Sequence, residues 1–133
     1  MAIRVVRLGS PRAVGEGVRI GTVRRPPRGV PKSEYASRDL YDVWLPNLAP
    51  SEALLKDAQA AVAAGDERAW KSFVRRYRAE MTTPDNRTLL DTLAALSHGA
   101  DFAVGCYCAD ETRCHRSILR QLLLERGATI ADA

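Results

Sequence analysis

The sequence predicts an α/β fold, a small and mainly parallel sheet flanked by helices, as a single domain over residues 1–133. Three observations predict it. Short runs of alternating apolar and polar residues open the chain, and helical periodicities fill its middle. A nearly continuous apolar run of strand length then leads through a turn into a last helix.

Ile3 to Leu8 and Val18 to Val23 alternate well enough to form two strands, with Gly9, Pro11, Gly15 and Gly17 punctuating the gap between them. Arg24 to Pro31 contains three prolines and cannot be a regular element, because each removes a backbone donor and fixes φ. It is expected as a surface loop carrying Arg24, Arg25 and Arg28. A third short strand is expected over Leu40 to Leu45, just before Pro46. Trp44 and Tyr41 are expected in the core, with pocket lining as the alternative.

Ser51 is a candidate N-cap for a helix that Gly65 stops, and Asp66 can cap the next. There Trp70, Phe73, Val74, Tyr77 and Met81 recur at helical spacing and predict a core face. Arg68, Lys71, Arg75 and Arg78 fall on another stripe, which either tracks phosphates or faces solvent. Thr83, Pro84 and Asp85 open a third helix that ends near His98 and Gly99, where His98 fits a helix-end role. Residues 101–108 are nearly all apolar, as a strand covered on both faces requires. The last helix is expected from about Thr112 to Arg126, burying Ile118, Leu119, Leu122 and Leu123 before Gly127.

Apolar residues make up 46% and charged residues 27%, a globular balance, and no apolar run approaches the ~20 residues that span a bilayer. The first residues lack the apolar stretch of a secretory signal, so a cytoplasmic address without membrane attachment is expected. Net charge is +4, but residues 1–38 carry nine basic against two acidic residues while the remainder is net acidic. Seventeen of the twenty basic residues are arginine, whose planar fork suits phosphate and carboxylate. An anionic small molecule or a nucleic acid is the partner class this suggests, and a solvated basic face is the plainer alternative.

All three cysteines, Cys106, Cys108 and Cys114, lie with His115 and Arg116 in one strand–turn–helix segment. An odd count in a chain of this address argues against a disulfide framework. Alternation along a strand would point Cys106 and Cys108 the same way. Cys114 would enter the first helical turn beside cationic neighbours that favour thiolate.

Three chemistries remain open. Cys114 or Cys106 is a reactive thiol, with His115 moving a proton and Arg116 anchoring an anion, and Arg24 and Arg28 contributing from the early loop. Cys106, Cys108, Cys114 and His115 ligate zinc or iron, although their spacing departs from the usual separations and no cofactor is required. Or the thiols are buried packing. Asp110 and Glu111 in the turn could supply an acid or base, or simply face water. There is no Cys-x₅-Arg phosphatase loop and no glycine-rich phosphate loop with Lys-Ser/Thr.

Three segments in order carry a family resemblance. Arg24 to Gly29 resembles an arginine-rich loop ending in Pro-Arg-Gly. Trp44 to Ser51 resembles a Trp-Leu-x-x-Leu-Ala-Pro-Ser run, followed by Phe73 to Glu80. Cys106 through Cys114, His115 and Arg116 resembles a Cys-x₇-Cys-His-Arg signature. Together they resemble the YeaO-like family, the domain of unknown function 488. The resemblance implies a compact α/β fold with a mainly parallel sheet, and no settled activity. The chain departs from the family where relatives carry Asp-Arg-Leu-Trp and this one has Val23 to Pro26. It departs again at Cys108, where other members have Glu.

Overall fold

Residues 1–131 are described by a computed structural model. Four strands, β1 (Ile3–Arg7), β2 (Val18–Gly21), β3 (Val43–Trp44) and β4 (Phe102–Cys106), form one sheet in the order β1-β4-β2-β3. Every pairing is parallel, with Val5 opposite Val104 and Ile20 opposite Val104 on its other side. Parallel neighbours need crossovers, and the three helices between β3 and β4 provide the long one: α1 (Glu52–Ala64), α2 (Glu67–Glu80) and α3 (Pro84–Leu96). After β4, helix α4 (His115–Glu125) returns the chain to Ile130, which bridges Ile3.

β4 is buried at every position because it sits between β1 and β2, and its apolar composition has that cause. The main core joins the sheet to the helices through Ile3, Val104, Phe73, Tyr77, Leu90, Leu119 and Leu123. A smaller cluster at the sheet's C-terminal end gathers Leu8, Val23, Tyr41, Cys106 and Cys114. No helix among the described residues is long and apolar enough to cross a membrane.

Of the two capping candidates, Ser51 stands at the N-cap of α1 without a side-chain cap bond, whereas Asp66 caps α2 as its chemistry requires. Asp66 accepts a hydrogen bond from the Ala69 amide, and Gly65 closes α1 at φ 63°, a left-handed conformation that costs glycine little. His98 approaches the Thr129 hydroxyl at 3.2 Å just past α3.

Four expectations need correction. The third strand covers only Val43 and Trp44, because Asp39 turns at φ 57° and drives Tyr41 inward onto Gly21. Trp44 lies 42% exposed on the sheet edge rather than in the core, its indole N–H donating to the Val23 carbonyl at 2.8 Å. β4 ends at Cys106 rather than Cys108, so Cys106 is buried while Cys108, beyond the strand, is exposed, although both side chains border the same space. The last helix starts at His115, not near Thr112. Asp110 accepts from the Thr112 amide and hydroxyl and organises a 3₁₀ turn over Glu111–Arg113, which leaves Cys114 extended as the N-cap of α4.

Candidate active site

β2 and β4 are adjacent, yet the chain leaves their C-terminal ends in opposite directions, from β2 towards β3 and from β4 through α4 to the β1 edge. In an open parallel sheet such a divergence leaves a crevice where ligands bind. Here it holds a cleft of about 570 Å³, within the range of small-molecule sites. Arg24, Arg25, Arg28 and Arg38 line one side, and Cys106, Tyr107, Cys108 and His115 line the other. The lining contains four arginines and no carboxylate. A second hollow of about 380 Å³ lies beyond Pro50, Leu55 and Gln59, and Cys114, Cys108 and His115 border it.

The arginines differ in what they are free to do. Arg24 is half-buried and spends its guanidinium on the carbonyls of Ala49 (3.0 Å) and Pro50 (2.9 Å), which fixes the entry to α1. Arg25 pairs with Glu52 and Arg38 with Glu34, both at exposed positions where such pairs stabilise little. Arg28 is exposed and has no ion-pair partner among the described residues.

The thiols come from two anchored elements. Cys106 closes the buried strand, Cys114 caps α4, and their sulfurs are 2.7 Å apart. Both are almost fully buried, whereas Cys108 reaches solvent in the intervening turn. His115 is buried behind them and directs Nε2 at the Thr22 carbonyl, 2.7 Å away. A carbonyl only accepts, so Nε2 carries the proton and Nδ1 keeps its lone pair, 3.7 Å from the Cys114 sulfur. Burial holds the imidazole neutral and pushes its pKa down to about 4, against the pull of the Thr22 carbonyl. The Tyr77 ring meets the imidazole edge-on and anchors its own hydroxyl on the Leu48 carbonyl at 2.6 Å.

Arg116 does not line either hollow. Its side chain is buried, one guanidinium nitrogen donates to the Cys108 carbonyl at 2.5 Å, and Nε has no partner among the described residues. It therefore places a fixed positive charge behind the thiols. The cluster distributes its charge unevenly. Cys108 is held well below the usual thiol range by hydrogen bonding from Cys106 and Cys114, and then by the positive charge of Arg116. Cys106 is pushed up by its hydrogen bonds to Cys108 and Cys114 and by burial. At Cys114 the Cys106 hydrogen bond favours the thiolate, but Cys108 and burial oppose it more strongly, and it rises to about 11. These directions favour negative charge on the exposed thiol and protons on the two buried ones.

Cys106, Cys114 and His115 also form a group that could hold a metal, with one ligand atom from each lying within 4.8 Å of the others. Cys108 falls outside that group. Asp110 is spent on Thr112 and Glu111 on Arg120, so neither turn carboxylate points at a sulfur. Along α2, Arg78 pairs with Glu125 while Arg68, Lys71 and Arg75 are exposed without ion-pair partners among the described residues.

Thr22, Tyr107 and the Pro50–Leu55–Gln59 partition escaped sequence reasoning. Thr22 directly follows β2, and position at a strand's C-terminal end is the signal that could have found it.

No curated protein and no solved structure matches the chain. A family model described as the active DUF488-N3 subclade, DUF488-N3a, matches residues 3–127. With that match spanning nearly the whole sequence, and with its arginine loop and Cys-His-Arg segment meeting at one cleft, the chain belongs to the DUF488 family of domains of unknown function.

Proposed function

We propose that this protein is an enzyme acting on an anionic, phosphate-bearing small molecule, a nucleotide included, bound in the arginine cleft. One observation carries the reading: four arginines and no acid line a cleft whose opposite wall is a thiol cluster. Of the four, Arg28 has no ion-pair or carbonyl partner among the described residues, and an unpaired charge beside apolar walls attracts an anion more strongly than it would in open water. Arg28 is the primary anion contact because nothing competes for its guanidinium, and Arg24 shapes the cleft wall beside it.

Cys108, the thiol that solvent reaches, is the nucleophile in this reading. Cys106 and Cys114 stand behind it as hydrogen-bonding thiols, and Arg116 supplies fixed positive charge from below. His115, with Nδ1 unprotonated, is placed to accept a proton from the Cys114 side of the cluster. The family description's word "active" is consistent with a retained site.

The test is calorimetric titration of the protein with inorganic pyrophosphate and with a nucleoside monophosphate. Binding that weakens about tenfold in Arg28→Ala, equivalent to about 1.4 kcal/mol, is expected. Absence of binding to both, or an unchanged affinity in the variant, overturns the proposal.

A nucleic-acid surface is the second reading, favoured by Arg68, Lys71 and Arg75 lying unpaired on one stripe of α2. It requires affinity for a short duplex or single strand that falls steeply with salt. Salt-insensitive or absent binding removes it.

A further inference from the structure

The sulfurs of Cys106 and Cys114 are closer than separate thiols need to be. At 2.7 Å they lie well inside the ~3.5–4 Å optimum of nonbonded carbon pairs. Two end states could use that approach, and their geometries differ. Two thiolates on one tetrahedral zinc, with Zn–S bonds of ~2.3 Å, sit ~3.7 Å apart, so these sulfurs would have to separate by ~1 Å. A disulfide needs ~2.05 Å, a closing movement of only ~0.7 Å. The converging group supplies three ligand atoms, from Cys106, Cys114 and His115, against the four of a structural zinc site, and closing the two sulfurs is the smaller movement.

We propose that Cys106 and Cys114 are a reversible dithiol–disulfide couple that exchanges with small disulfides entering the arginine cleft. The pair joins the last residue of β4 to the N-cap of α4 across a seven-residue turn, and both elements are held by the core on either side. Neither end can drift, so the sulfurs meet without ordering a flexible loop. Burial does not bar access, because Cys106 lines the larger cleft and Cys114 the smaller hollow.

The exchange balances. Cys106 attacks one sulfur of the small disulfide and expels the other, its thiol proton passing to the departing sulfur in the same step rather than being lost beforehand. Cys114, deprotonated in turn, attacks the Cys106 sulfur of the mixed disulfide and expels the second small thiolate. One S–S bond breaks and one forms. The protein gives up two electrons, the small disulfide is reduced to two thiols, and the two protons released by the protein are those the leaving thiolates take up. Oxidation removes both buried thiols from behind Cys108 and leaves Cys108 itself free. The inference goes beyond the phosphate reading and does not require it.

The experiment equilibrates the full chain with oxidised and reduced glutathione at a series of ratios, quenches with acid, alkylates and maps the peptides. A Cys106–Cys114 cross-link that titrates with the ratio, is reversed by dithiothreitol, and leaves Cys108 alkylated at every ratio is expected. C108S should keep the cross-link, while C106S and C114S should each abolish it. Because the wild-type peptide map reads the linkage directly, the test survives even if a serine variant fails to fold. A linkage that includes Cys108, no intramolecular linkage at any ratio, or stoichiometric zinc that must be chelated before the thiols react would overturn the proposal. Pyrophosphate titration of the same samples reports on the phosphate reading separately.

Discussion

Arg19→Met tests how the arginine wall of the cleft is held. Arg19 is fully buried and grips both oxygens of the buried Glu16 carboxylate, at 2.8 and 3.0 Å. Its remaining nitrogen donates to the carbonyls of Ser10 (2.8 Å) and Asp39 (2.6 Å). Methionine fills a similar volume but supplies none of these donors. Glu16 would keep only the Ala13 amide at 3.2 Å, a buried carboxylate almost without compensation. Removing one partner of such a pair costs about 3–5 kcal/mol. That is a large share of a total of ~5–15 kcal/mol, and should lower Tm by roughly 10–20 °C. Urea unfolding followed by circular dichroism measures it. Arg19→Met combined with Glu16→Met should recover most of the loss, since replacing both partners removes the stranded charge. Burial, the largest single influence, would raise the Glu16 pKa, but the Arg19 hydrogen bonds, the Ala13 amide and the charges of Arg19 and Arg12 together outweigh it and hold it below the usual range. The wild type therefore owns this stability above the unfolded carboxylate pKa and loses it as pH falls, so the gap to the variant should narrow in acid. Because Asp39 lies between Arg38 and Leu40, both of which line the cleft, pyrophosphate binding should weaken as well. A loss under ~1 kcal/mol, or a double variant as unstable as the two singles added, would refute the reasoning.

His115 gives a pH signature. Its folded pKa of about 4 lies below the ordinary value of 6.5, so the unfolded chain binds the extra proton in that window. Stability should be complete above pH ~6.5 and fall by about 3 kcal/mol as pH drops towards 4. Urea midpoints across that range check it, and His115→Gln should flatten the dependence. Tyr77→Phe strands the Leu48 carbonyl and should cost about 1–2 kcal/mol in the same assay. Gly105→Ala would place a Cβ 2.6 Å from the Val6 carbonyl oxygen, a backbone atom that cannot swing aside. Overpacking of about 1–3 kcal/mol or more is expected, and a variant of wild-type stability would show that the strands can part at no cost.

The fold was legible because its signals are local and mutually consistent. Asp66, Gly65 and the Trp70–Phe73–Tyr77 spacing act within a few residues of themselves, and the apolar run ending at Cys106 could only be a doubly covered strand. The site was half legible. The cysteine segment announces itself by composition, but which thiol faces water depends on where β4 stops, and that is set by the Asp110 turn and the docking of α4. The arginines are visible as a run, yet their division of labour is not. Arg24 is consumed by carbonyls some twenty-five residues away and Arg28 by nothing among the described residues, distinctions that only long-range contacts draw. Arg19 and Glu16 were invisible for the same reason: three residues apart in a strand's approach, they resemble surface charges until the sheet buries them.

The two walls of the cleft are made in different ways. The Cys106 and Cys114 sulfurs and the His115 imidazole are mounted on the ends of regular elements, whereas the guanidinium groups ride on the stretch between β2 and β3, whose regular structure is one short 3₁₀ turn. Lengthening, shortening or re-sequencing that stretch would redraw what the protein recognises without disturbing how its reactive atoms are aligned. Ligand preference in this scaffold can diverge while its chemistry stays constant.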